Sequence, residues 1–283
     1  MSRKPQTLEL PSDIDATVTI ALAEDVGSGD VTATLIPAAR QCSARVVCRE
    51  AAVLAGGPWF NSVFRHIDPA VSVDWLFDEG ATLKADDVVC RLQGPARAIV
   101  TGERSALNFL QTLSSTATIT RNYVAALGET KTRILDTRKT VPGLRSAQKY
   151  AVRAGGGVNH RMGLFDAILI KENHIAAAGS ITAAIAALRA SHPGLRIEVE
   201  VENMQELDEA LASGAEMIML DNFSLEAMRA ATAHVAGRAL VEISGGVEIE
   251  ALASLGTVGA DFVSVGALTK HVRAIDFSMR IDA

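Results

Sequence analysis

From Lys131 onward the chain repeats one pattern: a short run rich in Val, Ile and Leu, then an alanine-rich amphipathic stretch. The apolar runs are Arg133–Asp136, Ala167–Lys171, Ile197–Glu200, Met217–Asp221, Ala239–Ser244 and Phe262–Gly266. Between them, near Leu144–Ala154, Ile181–Ala190, Met204–Ser213, Leu225–Val235 and Glu248–Leu255, the periodicity is helical. Strands buried on both faces read as continuous apolar runs, and repeated strand–helix units join through right-handed crossovers. Such a series fits an open doubly wound sheet or a (β/α) barrel. Six strands are too few for an eight-stranded barrel, so the pattern predicts an incomplete, open barrel.

The ends of those runs carry the chemistry. In order they are Asp136 with Arg138 and Lys139, then Lys171, Glu200, Asp221, Ser244-Gly245-Gly246, and Gly266. The carboxyl ends of parallel strands form the ligand face of α/β folds. Residues 131–174 hold nine Lys and Arg against three Asp and Glu, whereas the remainder carries 18 basic and 30 acidic residues within a net charge of -6. A cationic island in an acidic chain points to a pocket for a small, highly charged anion.

Upstream the rhythm differs. Ser12, with Asp15 three residues on, resembles a helix start, and Ile14 to Ala23 has helical spacing. Short β-type runs at Ala44–Arg49, Val71–Phe77, Val88–Leu92 and Ala96–Val100 surround an apolar helix near Pro58–Arg65. These predict a small α+β domain with a largely antiparallel sheet. Glu103 to Leu127 reads as a long connecting helix, or two, ended by Gly128. The expected division is an N-terminal domain over 1–128 and a barrel over 129–283, with the last residues able to pack back on the first domain.

A sequence pI of about 5.6 argues against nucleic acid, which needs a broad basic face. Cys42, Cys48 and Cys90 have no paired-ligand spacing and read as reduced thiols. The first residues hold no apolar signal core, and no run approaches the roughly 20 apolar residues of a membrane helix. The expectation is a cytoplasmic protein that binds neither nucleic acid nor membrane.

Arg138, Lys139, His160, Arg161 and Lys171 supply forks and point charges for carboxylate or phosphate. Singly, each reads better as a surface cation in a weak ion pair; as a constellation that tracks the strand ends with few acids beside it, the set reads as a site. Lys171 alone could also be a Schiff-base lysine, but its companions are other cations. Glu200 and Asp221 suit Mg²⁺ held together with substrate phosphates, or else balance the nearby cations. Glu198 and Glu202 alternate with Glu200, so one face of that strand is acidic. Ser244-Gly245-Gly246 and Gly266 suit a phosphate cup. Gly155-Gly156-Gly157 is no dinucleotide fingerprint, because no strand leads into it.

With these residues in place, the chain resembles the quinolinate phosphoribosyltransferase family nearly end to end. The resemblance runs through EDVGSGDVT at 24–32, ERSALNFLQ at 103–111, DTRKTVPGLR at 136–145 and GGGVNHRMGLFDAILIKENH at 155–174. It continues through VEVEN at 199–203, MLDNF at 219–223 and EISGG at 242–246. It implies an N-terminal α/β sandwich beside an open (β/α) barrel, and a head-to-tail homodimer with higher assembly left open. The implied reaction combines quinolinate and phosphoribosyl pyrophosphate (PRPP), with Mg²⁺, into nicotinate mononucleotide, pyrophosphate and CO₂. Matched motif by motif, Arg138, His160, Arg161 and Lys171 are implied to bind the quinolinate carboxylates, with Arg104 entering from the partner subunit. Lys139 is implied on the PRPP side, Glu200 and Asp221 at the ribose hydroxyls and Mg²⁺, and Ser244, Gly245, Gly246 and Gly266 around the 5-phosphate. Lys139, Lys171, Glu200 and Asp221 are thereby the implied catalytic residues. A paralogous phosphoribosyltransferase acting on another anion is the alternative; a non-catalytic sensor of phosphorylated ligands would not need Glu200 and Asp221.

Overall fold

The computed structural model describes residues 8–282. In chain order the elements are α1 (Ile14–Asp25), β1 (Gln41–Cys48), β2 (Ala52–Val53), α2 (Gly57–Ile67), β3 (Ser72–Trp75), β4 (Thr82–Leu83), β5 (Val88–Pro95) and α3 (Ala96–Leu127). There follow β6 (Arg133–Leu135), α4 (Arg145–Ala154), β7 (Ile168–Ile170), α5 (Glu172–Ala178), α6 (Ile181–Ser191), β8 (Ile197–Val201), α7 (Met204–Ala212), β9 (Met217–Asp221) and α8 (Leu225–Val235). The series ends with β10 (Leu240–Ser244), α9 (Leu252–Leu255), β11 (Phe262–Ser264), α10 (Ala267–Lys270) and β12 (Phe277–Ile281). Two compact units divide these residues. One takes the chain up to Arg121 with Thr140–Gly156 and everything from Leu268; the other takes Asn122–Lys139 and Gly157–Ala267.

The first unit is built on an antiparallel sheet in the order β12-β1-β5-β3. Its core packs Trp59, Phe60 and Phe64 of α2 against Leu107, Leu110 and Leu113 of α3. Trp59 meets Tyr150 of α4 edge-on at 5.3 Å between ring centres. The same core takes up Ala147, Ala151 and Ala154, so α4 belongs to this unit although it lies within the strand–helix series. Several polar groups inside are matched: Ser114 Oγ accepts from Ala55 N and donates to Ala55 O, and Val53 N donates to Thr118 Oγ1. Glu79 accepts from Gly56 N and Gly57 N at the start of α2; burial raises its pKa, opposed by those N–H groups.

Two sequence expectations fail here. Ala96–Val100 is the first turn of α3, not a strand. Gly102 interrupts the apolar pattern because a Cβ there would stand 2.6 Å from Phe64 Cε1. Likewise Ser12 does not cap α1; the cap is Asp13, which makes no side-chain cap bond and instead accepts from Ser146 Oγ at 2.6 Å.

The second unit carries six parallel strands in the order β6-β11-β10-β9-β8-β7. The sheet is open: β6 and β7 stand at opposite edges and, among the described residues, do not pair. Val199, Val201, Ile218, Leu220, Val241, Ile243 and Val263 are buried, as strands covered on both faces require. Several helices of this unit start with side-chain caps, α7 and α8 within a few residues of the preceding strand. Asn203 accepts from Glu206 N at the start of α7, Ser224 from Ala227 N at α8, and Ser180 from Ala183 N at α6.

Candidate active site

Because all six strands run parallel, their carboxyl ends lie along one edge of the second unit. Ser244 is in register with Asp221, Glu200 with Met219 on the next strand, and Ser264 with Leu135. Every sequence-predicted site residue except Arg104 lies on this edge or in a loop leaving it. Arg104 is exposed on α3 in the other unit.

The Asp136–Lys139 and Asn159–Arg161 loops are locked together. Val158 forms a parallel bridge to Leu135, donating to Ile134 O and accepting from Asp136 N. Beyond it the buried Asp136 carboxylate accepts from Asn159 Nδ2 at 2.6 Å and from His160 N at 2.9 Å. Thr137 Oγ1 accepts from Lys139 N, which tightens the first loop. Arg161 donates to Ala167 O and stands close enough to Arg138 that burial, together with that neighbouring charge, pulls its pKa below the ordinary range.

Lys171 follows the last residue of β7. Its backbone N–H donates to His174 Nδ1, while Nζ reaches Glu200 Oε2 at 2.5 Å. The lysine is nearly half exposed, so this pair is easily opened by a competing anion. Lys139 lies over Gly266, where a Cβ would come within 3.0 Å of Lys139 Cδ. Gly245 at φ +96° lies beside Asp221, and a Cβ on it would stand 3.1 Å from Asp221 Oδ1. Asn222 donates to Asp221 Oδ2 from a left-handed turn. The result is one edge with cations at β6 and β7, carboxylates on β8 and β9, and glycine backbone after β10 and β11.

His160 is the exception among the expected anion ligands. Its side chain is 7% exposed, and Nε2 stands 2.8 Å from Glu198 Oε2 and 3.4 Å from Glu242 Oε2. Nδ1 accepts from Arg161 N at 2.7 Å. Both ring nitrogens are thus engaged inside the protein. Sequence reasoning named Asp136 only as a strand end and Glu198 only as part of an acidic strand face, and gave Glu242 no part in the site. For Glu242 the available signal was a lone carboxylate within the buried run Val241–Ile243.

Glu200 and Asp221 offer hard carboxylate oxygens on adjacent strands, beside backbone able to approach a phosphate. That donor set suits Mg²⁺, which takes few protein ligands and completes its shell with water and substrate phosphate. One donor atom each from His160, Glu198 and Glu242 also lie within 4.8 Å of one another. The closest pair there stands at hydrogen-bond distance. Among the described residues no helix is long and apolar enough to cross a membrane.

Comparison with known proteins places this geometry. The family model described as quinolinate phosphoribosyl transferase, C-terminal domain, matches residues 116–280, and its N-terminal counterpart matches 30–114. The chain is 41% identical over 259 residues to a probable nicotinate-nucleotide pyrophosphorylase [carboxylating] of Bacillus subtilis (strain 168), covering 91% of this chain and 90% of that one. It is 41% identical over 273 residues to the nicotinate-nucleotide pyrophosphorylase [carboxylating] of Mycobacterium leprae (strain TN), covering 93% and 95%. Among solved structures, the Francisella tularensis nicotinate-nucleotide pyrophosphorylase superposes with a TM-score of 0.92 at 42% identity, over 99% of this chain and 100% of that one. NadC of Streptococcus pyogenes gives 0.93 at 43% identity, over 97% and 98%.

Proposed function

The chain belongs to the quinolinate phosphoribosyltransferase family, and from that membership we propose that the carboxyl edge of its parallel sheet is the reaction centre. The enzyme is a pentosyltransferase of de novo NAD biosynthesis. It moves the phosphoribosyl group of PRPP to quinolinate with decarboxylation, giving nicotinate mononucleotide, pyrophosphate and CO₂. One observation supports the placement: Arg138 and Lys139 after β6, Arg161 beside Arg138, and Lys171 after β7 on Glu200 all belong to the carboxyl edge of the sheet that bears Glu200 and Asp221.

In this reading Arg138, Arg161 and Lys171 hold the two quinolinate carboxylates, with His160 behind them. Lys171 exchanges its bond to Glu200 for the incoming anion. Glu200 and Asp221 face the ribose, where loss of pyrophosphate from C1 develops positive charge that a preorganised carboxylate stabilises. Ser244, Gly245, Gly246 and Gly266 cup the 5-phosphate, and Lys139 neutralises the departing pyrophosphate. Glu200 and Asp221 would hold Mg²⁺, which when bound supplies further neutralisation of pyrophosphate charge. The attacking ring nitrogen becomes a pyridinium that accepts the electrons released by the 2-carboxylate, so positioning and charge are what the protein must supply.

The reading extends to a cytoplasmic homodimer in which Arg104 of the partner subunit completes the quinolinate site. Exposed Arg104, placed on a different unit from the other ligands, is consistent with that assignment. The test mixes protein, quinolinate, PRPP and Mg²⁺ and follows CO₂ release, with nicotinate replacing quinolinate as the control. Arg138→Ala and Lys171→Ala should abolish turnover with the circular dichroism spectrum unchanged. Quinolinate turnover retained in either variant refutes the clamp.

A further inference from the structure

The reaction as described leaves one cluster unused: His160, Glu198 and Glu242, buried within the parallel unit. The side chains of Glu198 and Glu242 are 3% and 0% exposed. Two carboxylates taken out of water beside each other are costly unless a partner offsets them. His160 is that partner, and its geometry makes it more than a counter-charge. The acids rise from β8 and β10, the two strands that flank β9, so a single imidazole nitrogen gathers side chains from across three strands. On the ring's other side Nδ1 accepts the Arg161 N–H, while the backbone N–H of His160 donates to Asp136.

Burial depresses the His160 pKa, while the bonds and charges of Glu198 and Glu242 push it the other way, toward a second ring proton. The Arg161 N–H opposes a second ring proton, since an imidazolium would aim its own N–H at that donor from 2.7 Å. The contact selects the ring with one proton, carried on Nε2. Arg161 in turn is drawn to Glu198 and repelled by Arg138.

We propose that Glu198 and Glu242 are positioning residues for quinolinate: through His160 they fix the Asn159–Arg161 turn, and with it the place of Arg161 beside Arg138. This rests on the clamp reading given above. The substrate they serve is the dicarboxylate, because His160 holds the turn that carries Arg161, whereas the ribose is assigned to Glu200 and Asp221.

Two measurements test it on the full-length enzyme. Steady-state kinetics of Glu198→Ala, Glu198→Gln and Glu242→Gln, each substrate varied in turn, should show the KM for quinolinate rising selectively. The alanine variant should lose about tenfold to a hundredfold, as small misplacements of a binding group do. Glutamine, which keeps the shape and an acceptor, should recover part of that loss, and the KM for PRPP should stay near wild type. A merely structural role would instead raise both constants and lower the melting temperature together. Ring nitrogen-15 spectra of the wild-type enzyme, with His160 assigned by its substitution, should show a protonated Nε2 and a bare Nδ1. The proposal is overturned by unchanged quinolinate KM in all three variants, by equal loss for both substrates, or by a proton on Nδ1 in the wild type. If the clamp itself were misassigned, Arg138→Ala would keep turnover; if only the positioning role fails, Arg138→Ala is dead while the glutamate variants bind quinolinate normally.

Discussion

Asp136 joins the fold to the site, and its removal has a calculable consequence. Its carboxylate is fully buried and accepts from Asn159 Nδ2 and His160 N at 2.6 and 2.9 Å. Asp136→Ala leaves both donors without that acceptor, at about 1–3 kcal/mol for each buried unsatisfied group. Allowing for relaxation of the exposed side of the loop, the expected loss is about 3 kcal/mol, a large share of a typical stability of about 5–15 kcal/mol. Asp136→Asn keeps one acceptor oxygen and should lose about 1 kcal/mol. Native-state hydrogen exchange is the assay, because it resolves local opening. The amides of Val158 and His160 should exchange about a hundredfold faster in Asp136→Ala, the equivalent of nearly 3 kcal/mol at 1.4 kcal/mol per factor of ten. Trp59 and Trp75, the two tryptophans of the chain, both lie in the other unit, so tryptophan fluorescence supplies an internal control that should not change. Exchange at His160 within about threefold of wild type would refute the account of the loop as anchored by this carboxylate.

Gly245→Ala forces a side chain onto a backbone at φ +96° and pushes against Asp221 Oδ1, so the KM for PRPP should rise about tenfold for roughly 1–3 kcal/mol of strain. An unchanged KM for PRPP would remove Gly245 from the phosphate cup. Glu50 accepts from Arg273 and from Asp276 N, and the Arg273 bond, followed by that N–H, holds its pKa below the usual value. A depressed carboxylate stabilises the native state above its unfolded pKa and loses that contribution as pH falls through the folded value. The stability advantage of wild type over Glu50→Gln should therefore be present at pH 7 and fade below about pH 4.5. Urea denaturation at both pH values checks this, and an advantage that grows on acidification contradicts it.

The parallel unit was legible because a strand covered on both faces must be apolar throughout, so a polar residue at its end is conspicuous. Lys171, Asp221 and Ser244 stood out in that way, and all three lie on the predicted edge. The first turn of α3 was misread because Ala98, Ile99 and Val100 are an apolar run of either type. The closeness of Phe64, which calls for glycine at 102, comes from a separate element. The packing of α4 with the aromatic core was hidden likewise, since amphipathicity shows that a helix has a buried face without naming what covers it. His160 looked like an anion ligand beside Arg161, and only the distant Glu198 and Glu242 explain where its ring points. In each failure the deciding contact joins residues remote in sequence.

The outer strand beside β1 comes from Phe277–Ile281, which the ribosome delivers only after the whole parallel unit has been made. During synthesis β1 must therefore wait with one edge open, offering unpaired backbone to other chains. The six strands of the parallel sheet are all encoded ahead of β12. Nascent chains halted before residue 277 should be recognised by chaperones through the exposed flank of β1, and β12 acts as a seal applied from beyond the parallel unit.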